Sequence, residues 1–171
     1  MSAPRVLPGF LGPRERVLVA AIAHAAAKRS AATGAAFTPG RLGTGYDKLS
    51  LLDSPTAERL VKKCVQALGA PLLFDAWLLR YLVGSAIPAH TDPPVAGLCH
   101  IRINALALVS DGGLLYIDGA QLPLASGDAY LFRPDVMRHQ VTTVQGHERL
   151  VLSVGANVDE EQARRVLSPS A

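Results

Sequence analysis

The sequence has little charge, few aromatic side chains and almost no cysteine. Charged residues make up 18% of the 171 positions and aromatic residues 5%, whereas 49% are hydrophobic. This composition excludes a disordered chain, and the length suits one domain with a sizeable core. Two cysteines are too few for a disulfide framework, so we expect a reducing, cytoplasmic environment.

No block of basic residues is present either. The net charge is +3, and Lys and Arg occur in scattered pairs such as Lys62–Lys63, without interleaved aromatic residues. A nucleic-acid partner is therefore not favoured. The apolar run 17–27 could belong to a signal peptide, but His24 interrupts it and it is too short to span a bilayer. We interpret it as a buried helix and expect no membrane partner.

Two helices are predicted before any strand. The first covers 13–30 and the second 53–70. In the second, Ser54 can cap the helix, Pro55 suits its first position, and Gly69 can end it. The apolar residues of this helix recur at helical spacing, which indicates a face packed on the core. They are Ala57, Leu60, Val61, Cys64, Val65 and Leu68.

Cys64 is therefore expected to be a buried thiol. Between the two helices, residues 31–50 are rich in Gly, Thr and Ser and are predicted to form a loop.

From residue 71 the pattern changes to short, partly alternating β-like segments separated by turn residues. They are 71–84, 99–110, 113–119, 128–134, 139–144 and 149–156. Such spacing predicts a sandwich or barrel. We expect a single domain over 1–171, mainly β with flanking helices. Its parts are N-terminal helices at about 13–70, a barrel at about 71–156 and a C-terminal helix at about 158–168.

The stretch "IPAHTDPP" places His90 and Asp92 two positions apart after a β-like run. In an extended chain both side chains project to one face. His139, at the start of a later predicted strand, can supply a third donor. Two histidines and one carboxylate form the facial triad that holds iron(II) and leaves metal positions open.

A fourth residue strengthens this interpretation. Arg149 lies ten positions after His139 and begins an apolar β-like segment. A buried arginine is costly unless it meets an anion, and its planar group binds a carboxylate through two hydrogen bonds. Taken alone, a His-x-Asp pair is weak, because a histidine near an apolar strand is more often structural or exposed.

Several stretches together resemble the iron(II)- and 2-oxoglutarate-dependent oxygenases, and in particular their small prolyl-hydroxylase-like branch. They are "VLPGFLGPRERVLVAAI", "YLVGSAIPAHTD", "GGLLYIDG" and "SGDAYLFRPDVMRHQVTTVQGHERLVLSVGA". The resemblance spans roughly residues 5–156. It implies a double-stranded β-helix, the jelly-roll barrel related to cupins, with helices packed outside.

The resemblance also implies roles for the four residues. His90, Asp92 and His139 would bind iron, and Arg149 would bind the far carboxylate of 2-oxoglutarate. The cofactors implied are iron(II), the cosubstrate 2-oxoglutarate and O2. A retained Asp92 argues for hydroxylation, because halogenating relatives have a small residue at that position.

Other matches are less specific. Tyr81 and Asn104 stand where the resemblance places residues near the cosubstrate, although a structural role is about as plausible. Many relatives have a serine two positions after the arginine, where this chain has Val151 and only later Ser153. One carboxylate contact is therefore open. The Cys99–His100 pair is too little to indicate a second metal.

The substrate is left open between a small molecule or free amino acid and a side chain of a peptide or protein. Arg102 and Arg138 are candidate substrate-binding residues, and the loops 41–53 and 92–100 are candidates for the barrel mouth. Two alternatives to the oxygenase remain. One is a cupin-type metal enzyme that does not use 2-oxoglutarate, and the other is a non-catalytic β-barrel binding module. The oligomeric state is not predicted.

Overall fold

One long strand, Asp75–His90, runs through both parts of the β-structure. The computed structural model describes residues 3–33, 36–40 and 44–168. The helices are α1 (Pro13–Thr33), α2 (Glu58–Ala67) and α3 (Glu160–Leu167). The strands are β1 (Arg5–Leu7), β2 (Thr38–Pro39), β3 (Thr44–Ser50), β4 (Asp75–His90), β5 (Cys99–Leu108), β6 (Asp111–Gly112), β7 (Leu115–Ile117), β8 (Ala120–Gln121), β9 (Ala129–Phe132), β10 (His139–Val141), β11 (Val144–Gln145) and β12 (Arg149–Val158).

The strands form a curled antiparallel sheet with two arms. The larger arm has the order β1-β9-β5-β12-β4, with β3 also paired to β4 and β2 to β3. The far half of β4 pairs with β10, which continues the smaller arm through β7 and β8. A separate ladder joins β11 to β6. This arrangement confirms the predicted mainly-β class and the jelly-roll form of the double-stranded β-helix.

The helices cover the outer face of the larger arm. One buried cluster joins the three helices to the sheet. It includes Val19 of α1, Leu60 of α2 and Val166 of α3, together with Ile101 and Leu152 of the sheet. Alternate residues of the same strands point to the opposite, inner face, as the two-residue period of a strand requires. Because the helices occupy the outer face, the inner face is left for polar and aromatic side chains.

The C-terminal helix α3 has a side-chain cap and an acidic first turn. The side chain of Asp159 accepts a hydrogen bond of 2.7 Å from the backbone N–H of Gln162 and so caps α3. Glu160 and Glu161 occupy the first turn, where negative charge interacts favourably with the helix dipole. The helix α3 lies within the range of about 158–168 expected for a C-terminal helix.

The predicted start of α2 is wrong, although its end is correct. The helix begins at Glu58, and Ala57 is the N-cap without any side-chain hydrogen bond. The carbonyl of Ser54 accepts from the N–H of Ala57 at 3.0 Å, so a separate turn precedes the helix. Gly69 ends it with a φ of 75° and an N–H bonded to the carbonyl of Gln66.

The prediction of a loop at 31–50 is also wrong in part, because α1 runs to Thr33 and the segments Thr38–Pro39 and Thr44–Ser50 are strands. Strand β3 pairs with β4, with Ser50 opposite Trp77 and Tyr46 opposite Tyr81. The Lys48 ammonium lies 4.5 Å from the centre of the Trp77 ring. Turn-forming residues dominate this composition, but pairing with a neighbouring strand outweighs weak β-propensity. The first barrel strand likewise extends past its predicted limits of 71–84 to His90, because its far half pairs with β10.

The run 17–27 lies in α1, but it is not buried on all sides. Val19, Ala23 and Ala26 pack inward, whereas Val17 is 70% exposed. Small alanines on the outer side make the segment look apolar without requiring burial. No helix in the described parts of the chain is long and apolar enough to cross a membrane.

We expect the Cys64 thiol to be unreactive in the native protein. It is fully buried on α2, and burial raises its pKa to about 12, so the reactive thiolate is scarce at pH 8. In a Cys99→Ser variant, which leaves one thiol, a colorimetric disulfide reagent should react within minutes in guanidinium chloride and at least about 100-fold more slowly in buffer. Comparable rates in both would show that α2 does not pack as described.

Candidate metal centre

Two paired strands bring the histidines of the predicted triad together. His90 ends β4 and His139 begins β10, and the two are directly opposite in the ladder. Their ring centroids lie 4.2 Å apart. Asp92 follows β4, where its backbone N–H donates to the carbonyl of Pro134 at 2.7 Å. One donor atom from each of the three side chains lies within 4.8 Å of the others.

Backbone carbonyls orient both imidazoles. The Nδ1 of His90 lies 2.8 Å from the carbonyl oxygen of Pro88, and the Nδ1 of His139 lies 3.1 Å from that of Met137. Each Nδ1 therefore faces an acceptor and donates, so Nε2 is the nitrogen of each ring that can bind a metal. Burial lowers the pKa of His139, with the nearby His90 acting in the same direction, so the neutral form is favoured. These features are those of metal-binding histidines.

Arg149 is a buried cation on the adjoining strand. It begins β12 opposite Tyr81, is 2% exposed, and places its guanidinium carbon 5.1 Å from the centre of the Tyr81 ring. Its Nε has no hydrogen-bond partner among the described residues. A cavity of about 220 Å³ borders this side chain. A buried charge without an opposite charge is unstable, so the arrangement fits an anionic ligand.

Aromatic contacts connect Arg149 to the histidines. The Phe132 ring packs edge-on against His139 at 5.1 Å and lies 5.2 Å from the Tyr130 ring. Tyr130 and Tyr81 both interact with Arg149, and burial raises the pKa of each phenol. Both hydroxyl groups therefore stay protonated and can donate hydrogen bonds. The arginine and the triad face one interior.

Asn104 lies on this inner face but is already engaged. Its amide Nδ2 donates to the Tyr130 hydroxyl at 2.7 Å, while its Oδ1 has no partner among the described residues. Its predicted contact with a cosubstrate would therefore be made beside Tyr130. Val151 packs against Tyr81, and Ser153 accepts from Arg102 at 2.8 Å. Val151 has no polar atom to offer a carboxylate, and the Ser153 hydroxyl is already engaged by Arg102.

His100 was not among the predicted site residues, yet it contacts the triad. Its Nδ1 lies 3.6 Å from Asp92 Oδ2, and its Nε2 lies 3.4 Å from Arg102 Nη2. Burial lowers the pKa of His100, with Arg102 adding to the effect. Strand alternation carried the signal, since residues 100, 102 and 104 of β5 share one face. Arg102, predicted to bind substrate, is thereby placed one imidazole away from Asp92.

The other predicted residues lie at the rim. Arg138 is exposed, and its Nη2 is 3.5 Å from the carbonyl oxygen of Ala89, next to His90. The segment 91–98 is a loop, as expected for the barrel mouth. Of the other predicted mouth loop, 41–43 lie outside the described residues and 44–50 form β3.

The sequence matches no protein-family model and no curated protein. Solved structures do match. A Pseudomonas putida prolyl-4-hydroxylase is 19% identical with a TM-score of 0.67, and the match covers 94% of each chain. A collagen prolyl hydroxylase of Paramecium bursaria Chlorella virus 1, solved as a 2-oxoglutarate complex, is 12% identical with a TM-score of 0.68 over 91% of this chain and 96% of that one.

HygX from Streptomyces hygroscopicus, solved with nickel and 2-oxoglutarate, is 14% identical with a TM-score of 0.64, covering 93% of this chain and 84% of that one. The resemblance seen in the sequence thus extends to three-dimensional structure. The chain has the double-stranded β-helix fold that these proteins share.

Proposed function

We propose that this protein is an iron(II)- and 2-oxoglutarate-dependent oxygenase that hydroxylates a C–H bond. One observation carries the proposal. A His-Asp-His group and a buried arginine, whose Nε has no partner among the described residues, face the same interior, and aromatic rings connect them. The first group suits a divalent transition metal, and the second suits a carboxylate.

The residues present fit iron(II). His90 and His139 would bind through Nε2, since Nδ1 of each faces a carbonyl, and Asp92 would offset part of the metal charge. Iron(II), when bound, would activate O2 as the oxidant for hydroxylation, and 2-oxoglutarate would supply the other two electrons that O2 needs. The protein supplies ligand orientation and a chamber that excludes water.

Arg149 would bind the far carboxylate of 2-oxoglutarate. Its unpaired Nε provides a donor, and the protonated phenols of Tyr81 and Tyr130 provide two more. These phenols replace the serine contact that Val151 cannot make. Val151 and Tyr81 pack together around the position of the carboxylate and keep water away from it.

The metals, cosubstrates and peptide bound in similar solved structures support this proposal. One similar structure is a 2-oxoglutarate complex, and another holds nickel with 2-oxoglutarate. Others are an epimerase with iron(III) and α-ketoglutarate, and a prolyl hydroxylase with a peptide of a hypoxia-inducible factor. The shared fold therefore accommodates small and peptide substrates. For the compartment we propose the cytoplasm, since Cys64 and Cys99 are both free thiols.

The two alternatives are less well supported. A cupin-type enzyme without 2-oxoglutarate has no use for a buried Arg149, and a binding module has no use for three converging metal donors. Anaerobic titration with iron(II) and 2-oxoglutarate separates the three cases. We expect a visible charge-transfer band for the proposed oxygenase, and iron binding without that band for the cupin type.

Glutarate, which lacks the keto group, is the matched control and should give no band. Aerobic release of succinate would then follow turnover. Folded protein that binds iron but gives no band with 2-oxoglutarate would contradict the proposal, and folded protein that binds no iron would favour the binding module.

A further inference from the structure

An ion pair lies on the inner face of the barrel beside the triad. Arg102 Nη2 donates to Asp75 Oδ2 at 2.8 Å, and Arg102 Nη1 donates to the Ser153 hydroxyl at 2.8 Å. The Asp75 side chain is 40% exposed and that of Arg102 is 15% exposed, so solvent reaches the pair. His100 lies between this guanidinium and Asp92 and contacts both.

The neighbouring backbone makes room for the guanidinium. A Cβ atom at position 155 would lie 2.5 Å from Arg102 Nη2, so the absence of a side chain at Gly155 allows Arg102 to lie flat over β12. Together with the Ser153 hydroxyl, this fixes the orientation of a planar group that binds carboxylates through two parallel hydrogen bonds.

Only one oxygen of the Asp75 carboxylate has a hydrogen-bond partner among the described residues. Asp75 Oδ1 is covered and has no hydrogen-bond partner among the described residues, although Oδ2 binds Arg102. A buried acceptor without a donor is unfavourable. Asp75 also borders a cavity of about 360 Å³, whose other lining includes Leu73, Leu98 and His100. That volume is near the lower end for small-molecule sites.

The charges of the pair limit which ligand can open it. A simple anion on Arg102 would leave Asp75 without its partner, and a simple cation on Asp75 would leave Arg102 unpaired. A ligand that pairs with only one of the two residues leaves the other charge partly buried and unpaired, which is costly in free energy. A ligand that carries a carboxylate and an ammonium on one carbon satisfies both groups together. An internal residue of a polypeptide carries neither charge.

We propose that the substrate is a free α-amino acid, with its carboxylate bound by Arg102 and its ammonium by Asp75. His100 borders the cavity beside Asp75 and lies 3.6 Å from Asp92 Oδ2, so the bound amino acid would lie one imidazole away from the triad. The substrate assignment rests on the proposed oxygenase function and deepens it. The apolar lip formed by Leu73 and Leu98 favours an amino acid with an aliphatic side chain.

The test uses the full chain with iron(II) and 2-oxoglutarate under anaerobic conditions. Each of the twenty proteinogenic L-amino acids is added singly, and the charge-transfer band is recorded. We expect at least one aliphatic amino acid to shift the band. Its N-acetyl and α-amide derivatives, which each lose one charge, should bind at least about 30-fold more weakly. Calorimetry with nickel-loaded protein gives an independent binding constant.

Two variants test the geometry, and each has a matched control. Asp75→Asn and Gly155→Ala should each weaken amino-acid binding at least about 10-fold while leaving the unshifted band intact. Gly155→Ala keeps both charges but displaces the Arg102 guanidinium. The exposed positions Glu161 and Arg165 on α3 provide the controls Glu161→Gln and Arg165→Ala, which should bind like wild type.

The outcomes separate this inference from the function on which it rests. If no band forms at all, the oxygenase proposal itself fails. If the band forms but no amino acid shifts it or gives heat in calorimetry, the amino-acid assignment is wrong and the oxygenase proposal stands. Equal binding of the N-acetyl or α-amide derivative would likewise overturn the assignment.

Discussion

Replacing Asp92 with alanine is expected to abolish tight iron(II) binding. The variant removes the one carboxylate of the triad and leaves His90 and His139, which offer no negative charge to offset that of the ion. Loss of an outer partner of a metal ligand typically costs about 10- to 100-fold in affinity. We expect loss of the ligand itself to cost more than about 100-fold, measured by anaerobic competition with a chelator, and to remove succinate release.

Asp53→Ala is the matched control, because Asp53 is an exposed carboxylate just ahead of α2 and outside the barrel interior. It should bind iron with wild-type affinity. A small anion such as formate can enter the space left by Asp92 and restore part of the affinity. Wild-type iron affinity and turnover in Asp92→Ala would show that the triad is wrongly assigned.

Replacing Arg149 with methionine is expected to separate cosubstrate binding from stability. Methionine keeps much of the side-chain volume and removes the charge. Truncating one partner of a buried charged pair costs about 2–5 kcal/mol, so the dissociation constant for 2-oxoglutarate should rise at least about 30-fold. The charge-transfer band should then require correspondingly more 2-oxoglutarate, while the affinity for iron stays unchanged.

The melting temperature of the same variant provides a second readout. In the absence of 2-oxoglutarate, wild-type Arg149 is a buried cation, and its Nε finds no partner in the described parts of the chain. Its removal should therefore leave the melting temperature equal or higher. In wild type, 2-oxoglutarate should raise that temperature through linkage, whereas in Arg149→Met the increase should vanish. The exposed Arg165→Met is the control. An undiminished increase in Arg149→Met would contradict the assigned role.

Much of the site followed from local pattern. The two-residue spacing of His90 and Asp92 is meaningful only in an extended chain. The predicted strand stopped at residue 84, and pairing with β10 extends it to His90. Arg149 was identified because a charged residue opened an apolar strand. The C-terminal helix was expected at about 158–168, and the Asp159 cap that fixes its start is visible only in the structure.

The features that escaped prediction depend on pairing between distant segments. β3 looks like a loop by composition, and only its pairing with β4 makes it a strand. Asp75 and Ser153 gain their significance from Arg102, which reaches both across neighbouring strands. Tyr130 escaped prediction for the same reason. It contacts Asn104 and Arg149, and the three residues lie on three different strands. Single-sequence periodicity indicates which face a residue occupies but not which residue lies opposite.

The long strand β4 has a mechanical consequence. It belongs to both arms of the sheet, but its junction with β10 is short and irregular, with His139 opposite His90 and Val141 opposite Ile87 across a register shift. A metal ion bound by both His90 and His139 would link the two arms of the sheet at this short, irregular junction. Local opening of β10 should then be frequent without metal and rare with it, which amide hydrogen exchange would detect as selective protection along this seam. A bound metal ion would thus also stabilise the junction between β4 and β10 that closes the barrel.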